Sequence, residues 1–203
     1  FRVSGGRIHQ YGFNCNGTMV DLHPEQPAPR ELSLSPAWSG WLERPRAVVP
    51  DEPHTFTWNH VGVNLDLVLL NRSDTVDRVI IADAPGWRTH EESVKGTDPI
   101  QQILVEKRAG EADAPLAAAY AALMVPYQGG ASPVLSAHLL ANDPRTGVIA
   151  VEVRFADRTD YIISTPDQEE REIGPITLAG RFAFVSVDAA GRMTEGYLLA
   201  GTH

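Results

Sequence analysis

The sequence predicts an all-β protein, one large antiparallel β-sandwich of about a dozen strands with a long Pro-rich loop. Three observations carry that expectation. Short runs of alternating apolar and polar residues recur along the chain, at the period of a half-buried strand. Turn residues interrupt them often, with 15 Pro and 17 Gly in 203 residues. Strand and helix patterns nowhere alternate as parallel βαβ units would require. The hydrophobic share, 43%, suffices for a sizeable core, and residues 1–203 are read as a single domain.

Taken in order, Gly5-Gly6 signals a turn between two short β runs, the first hairpin. After it His9, Tyr11, Phe13 and Cys15 fall on one face, and Ile8, Gln10, Gly12 and Asn14 on the other. Between His23 and Pro53 the composition shifts, with seven Pro and the pair Trp38 and Trp41. Proline removes ladder donors, so this stretch is expected to be an ordered loop along the surface, pinned by its tryptophans. Strand patterns resume at residues 56–60 and 63–70. A turn at residues 71–74 then leads into a returning strand over residues 76–82, and residues 100–108 alternate again. The Ala-rich stretch from Ala114 to Val125 has helix propensity, bracketed by Pro115 and Pro126. Its second half is assigned to a strand. The last third reads as hairpins: residues 134–140 with 148–155, a turn at Asp157-Arg158 into 160–164, and residues 181–187 with 196–200.

Charge narrows the partners. The net charge is -9, which argues against nucleic acid and anionic membrane surfaces, since both require clustered Lys and Arg. No run of 18 apolar residues is present. The single Cys15 has no internal disulfide partner. Asn16-Gly17-Thr18 and Asn71-Arg72-Ser73 fit the glycosylation sequon, a pattern short enough to arise by chance.

The order of several short motifs adds a resemblance. The first is Phe1-Arg2-Val3-x-Gly5-Gly6-x-x-His9-x-Tyr11-x-Phe13. Then come Phe56-Thr57-Trp58 before a long apolar strand, Arg108, and Met124-Val125-Pro126-Tyr127. Gly147 precedes a Val-rich strand and Asp160. Leu178-Ala179-Gly180-Arg181-Phe182-Ala183-Phe184, Gly191 and Tyr197-Leu198-x-Ala200-Gly201 close the series. Together these resemble the C-terminal β domain of heparinase II/III-like polysaccharide lyases and cover nearly the whole chain. The family pattern is usually His-Asp-Tyr-x-Phe-His, and here Gln10 and Asn14 depart from it.

The resemblance implies a piece of a longer enzyme, with Phe1 inside a longer polypeptide. An α/α toroid would precede it and supply the base, the acid and a metal site such as zinc, with no catalytic residue and no cofactor in this fragment. The partners would be an acidic polysaccharide and the toroid itself, in a periplasmic or secreted enzyme. The reaction would be β-elimination beside a uronate carboxylate. Weak self-association through a bared aromatic face is a further expectation. A carbohydrate-binding module without chemistry and a purely structural scaffold are the alternatives.

Five residues are candidates for substrate contact: His9 and Tyr11 from the shared face, and Trp38, Trp41 and Trp58 as stacking platforms. Each also has a plainer reading as a packing or loop-pinning residue. Asp51, His54 and His60 include metal-ligand types but match no zinc spacing. Ser4 and Ser35 lie in no nucleophile motif. Gly5-Gly6 and Gly129-Gly130 match no phosphate-binding loop.

Overall fold

The computed structural model describes residues 1–15, 17–23, 32, 34, 40–84, 100–110 and 115–201. Their regular structure is entirely β, as the alternating pattern predicts. Seventeen strands form: β1 (Arg2–Ser4), β2 (Ile8–Cys15), β3 (Thr18–His23), β4 (Glu43–Val48), β5 (His54–His60), β6 (Val63–Leu69), β7 (Arg78–Ala84), β8 (Ile100–Arg108), β9 (Ala117–Ala119), β10 (Ala122–Gln128), β11 (Ser136–Asp143), β12 (Val148–Arg154), β13 (Arg158–Ser164), β14 (Glu170–Ile173), β15 (Ile176–Ala179), β16 (Phe182–Asp188) and β17 (Met193–Leu199). Every ladder is antiparallel. The orders are β2-β8-β7-β4, β10-β6-β5-β3 and β11-β12-β13-β16-β17, with small ribbons β1-β9 and β14-β15.

The three larger sheets stack. Between the first two lies a core of Phe13, Val79, Ile81, Ile103 and Val105 against Phe56, Trp58, Leu67 and Leu69. The middle sheet is apolar on both faces, because Val68 and Leu123 meet Ile149, Val151 and Val153 of the five-stranded sheet on its other side. The β14-β15 hairpin covers the far face of that sheet, setting Ile173 and Leu178 on Ala150, Ile163 and Ala183. β12 is thus buried on both faces, which is why it reads as a nearly continuous apolar run.

Four expectations are corrected. First, β1 and β2 do not form a hairpin. Gly5 and Gly6, at φ +89° and +67°, turn the chain so that β1 pairs with β9 and β2 with β8. Left-handed φ is open to glycine at no steric cost, and the bend lets a single arch feed two ladders. Second, the segment after residues 71–74 does not return beside β6. It crosses to the opposing sheet, where β7 lies between β8 and β4. Third, the Pro-rich stretch does hold a ladder at its end. β4 is an edge strand, and Pro45 falls where its register to β7 shifts between Glu43 and Arg46; edge strands and bulges are both sites where proline is tolerated. Fourth, Leu34 and Leu42 pack the described part of this stretch onto Ile80 and Leu104, while Trp41 is 65% exposed. Leucine rather than that tryptophan pins it. Trp38, Ser35, the Asn16 sequon position, Pro85-Gly86 and Ala114 lie outside the described residues.

The Ala-rich segment is strand on both sides of a break at Tyr120–Ala121. Tertiary pairing overrides its helix propensity: β10 has seven register partners on β6. Asn71 bridges the break. Its Nδ2 donates to the Ala119 carbonyl at 2.8 Å, and its Oδ1 accepts from the Ala121 N–H at 2.8 Å.

Candidate functional site

β1, β2 and the β9–β10 break converge on a cavity of about 540 Å³, closed on its far side by β12 and β13. Its near wall is aromatic. Phe1 stacks on Tyr11 with centroids 4.9 Å apart and rings 6° from parallel. Tyr120 stacks on Tyr11 at 5.5 Å, and Phe13 meets Tyr11 edge-on at 4.6 Å. The alternation of β2 produces this grouping, because Tyr11 and Phe13 share a face and β8 holds them in register opposite Val105 and Ile103. Burial, and next the charge of Glu106, pushes the Tyr120 phenol above the ordinary tyrosine range, so it stays neutral near pH 7. Leu123, Met124 and Ile162 add apolar lining.

The polar groups at this cavity are few. Arg2 reaches across from β1 and donates through Nη2 to Ser164 Oγ on β13 at 2.6 Å. Thr165 adjoins it. An apolar hollow with a few convergent polar groups is the usual form of a small-molecule or sugar site.

The five sequence candidates separate in space. Tyr11 lines the cavity. His9 shares its strand face but is 7% exposed, and its Nε2 bonds the Gly5 carbonyl. The ring thereby ties β2 back to the glycine turn. Trp58 is 2% exposed and packs on Phe56 inside the first core. Trp41 stands in solvent just before β4, and Trp38 is outside the described residues. Four other lining residues, Phe1, Arg2, Tyr120 and Ser164, were not among the sequence candidates. Phe1 and Arg2 belong to the most distinctive motif, so a signal was present. Ser164 had none, since only the β13 ladder brings it near Arg2.

The metal-ligand types do not converge. His54 and His60 occupy opposite ends of β5, about 20 Å apart at strand rise. Burial lowers the His54 pKa, against the Glu52 carbonyl that its Nδ1 bonds at 3.0 Å. Among the described residues no three His, Cys, Asp or Glu side chains come together as a metal site. Cys15 is half-buried.

A second polar centre lies on the outer face of the first sheet. Glu106 is fully buried. It accepts from Arg78 Nε and Arg108 Nε at 2.6 Å each, and from Gln10 Nε2 at 2.6 Å. Burial alone would raise this carboxyl, but the hydrogen bonds of Arg108 and Arg78 outweigh it and hold the group below the ordinary glutamate range. Its donors surround it, which makes it a tie between β2, β7 and β8.

No protein-family model matches this chain, and no curated protein matches it in sequence.

Proposed function

We propose that this protein is the β domain of a polysaccharide lyase that cleaves uronate-containing polysaccharide by β-elimination, and that it lines one wall of the substrate cleft. The observation that carries this reading is the aromatic cavity built on the first motif, which the stacked rings of Phe1 and Tyr11 line together with Arg2. The order of the motifs along the whole chain supports the same reading. A sugar ring offers apolar C–H faces to an aromatic wall, and a uronate adds a carboxylate that suits an arginine.

In this reading the chemistry is shared. Proton abstraction beside the carboxylate, charge neutralisation and protonation of the leaving oxygen need groups held at the scissile bond. The resemblance assigns those groups, and the zinc, to a toroid domain outside these residues. This chain binds and orients the polymer and excludes water from one side. In this reading His9 serves the fold, its Nε2 bonded to the Gly5 carbonyl.

The test is an assay for unsaturated uronate, read by near-ultraviolet absorbance, on alginate, hyaluronan and heparan. The longer polypeptide that this reading requires should produce it, and the 203-residue chain alone should not. Product from the 203-residue chain alone would return catalysis to its own side chains. No product from the longer protein on any acidic polymer would overturn the lyase reading.

A further inference from the structure

We propose that Arg2 is the specificity-determining residue of a sugar subsite in this cavity, reading the carboxylate of a uronate. The proposal rests on the lyase reading above for the polymer, and on the surroundings of Arg2 for the role.

This chain has an excess of acids, 26 Asp and Glu against 17 Lys and Arg. Seven described arginines pair with an acid, among them Arg78 and Arg108 on Glu106; Arg2, Arg7, Arg46, Arg72, Arg145 and Arg181 do not, and of these six Arg2 alone lines this cavity. Arg2 is half-buried and has no carboxylate within ion-pair distance among the described residues. Its one side-chain hydrogen bond among the described residues is to a neutral hydroxyl, Ser164 Oγ. That bond employs Nη2 and leaves the rest of the guanidinium fork without a described partner.

The group is also held in place. A side chain at Gly147 would come within 3.6 Å of Arg2 Nη1, and the Gly147 backbone sits at φ +73°. The residue beside the guanidinium is therefore one whose backbone conformation favours glycine. Ser164 fixes one edge of the fork. A planar guanidinium so fixed, with donors free and an aromatic wall alongside, matches a carboxylate on a flat ring. The match is local. The net charge of the whole chain repels a polyanion, so selectivity depends on this contact and not on long-range steering.

The test is binding, not turnover. The 203-residue protein is titrated with uronate oligosaccharides and with the same oligosaccharides after carboxyl reduction, followed by NMR shifts and calorimetry. Wild type should bind the acid form at least about tenfold more tightly, the usual scale of one charge-assisted hydrogen-bonded pair. Arg2→Gln should erase that preference and leave affinity for the reduced form unchanged. Arg2→Lys should restore part of it, since charge survives without the fork. If Arg2→Gln weakens both forms equally, or neither, Arg2 is not the reader and the proposal falls, while the lyase reading stands on its own assay. If no oligosaccharide binds to a variant and wild type of equal melting temperature, the subsite itself is overturned.

Discussion

The first two sheets and the five-stranded sheet solve the same packing problem by different means. Between the first two, the core is aromatic and its ladders join distant parts of the chain. Ile8 pairs with Arg108, Arg2 with Ala119, and Ala122 with Leu69. In the five-stranded sheet the core is Val, Ile and Ala, and the ladders are mostly hairpins between neighbours, β11 to β12 to β13 and β16 to β17. The first region needs large side chains and buried polar ties to hold non-local pairings whose closure costs more chain entropy. The second closes short loops and uses small residues at close spacing. The candidate cavity lies where the two regimes meet, because Arg2 and Tyr11 belong to one and Ser164 and Ile162 to the other.

The difference can be broken at its centre. Phe56 is fully buried in the aromatic core, and Phe56→Ala is expected to cost about 4 kcal/mol. Urea unfolding reads this. A single shifted transition is expected, because the middle sheet serves both cores through Leu69 on one face and Val68 on the other. Two separated transitions would show that the regions are independent units.

Removing the buried charge comes next. Glu106→Gln leaves Arg78 and Arg108 facing a neutral group. Both are partly exposed, 20% and 41%, so the expected loss is about 2–3 kcal/mol, below that of a fully buried broken pair. The same carboxyl sets a pH dependence. Its folded pKa is depressed, so its contribution is present above the ordinary unfolded value of about 4.3 and is lost as pH falls through the folded value. Wild type should therefore lose stability more steeply than Glu106→Gln below about pH 4.3. Parallel acid profiles would remove Glu106 from the account.

Smaller effects sharpen the contrast. Asn71→Ala strips the Ala119 carbonyl and the Ala121 N–H of their partner at a buried site, and about 2 kcal/mol should be lost. In the five-stranded sheet, Ile163→Val removes one methylene at a fully buried position and should cost about 1 kcal/mol. A loss at Ile163 as large as that at Phe56 would erase the distinction between the two cores.

These regimes also explain what could be read from sequence. Fold class was legible because period-2 alternation is local, and β8 was read with its observed limits, Ile100 to Arg108. The hairpins β11–β12 and β16–β17 were legible because each turn signal lies between its own two strands. Pairing of β1 with β9 was not, since nothing in Phe1-Arg2-Val3 points 115 or so residues ahead at that order of contact. β14 was missed because Glu170-Arg171-Glu172 looks solvated, and only Ile173 faces the core. At the candidate site, Tyr11 emerged from face alternation. Arg2 did not, because its distinguishing property is its place on the cavity wall, and that is visible only once neighbours are in place.

Asn71 carries one more consequence. Asn71-Arg72-Ser73 is a formal glycan acceptor, yet this asparagine is 2% exposed and both ends of its amide are engaged by the chain break. An oligosaccharide on Nδ2 would replace one of its two N–H donors, which go to Ala119 and Thr75, and has no room beside the core. Modification could only precede folding, and a chain so modified would be unable to close the β9–β10 junction. A eukaryotic secretory host would thus divide the product into a folded, unmodified fraction and a modified fraction retained by quality control. Ser73→Ala, which abolishes the acceptor and forfeits only an exposed hydrogen bond to Asp51, would merge the two.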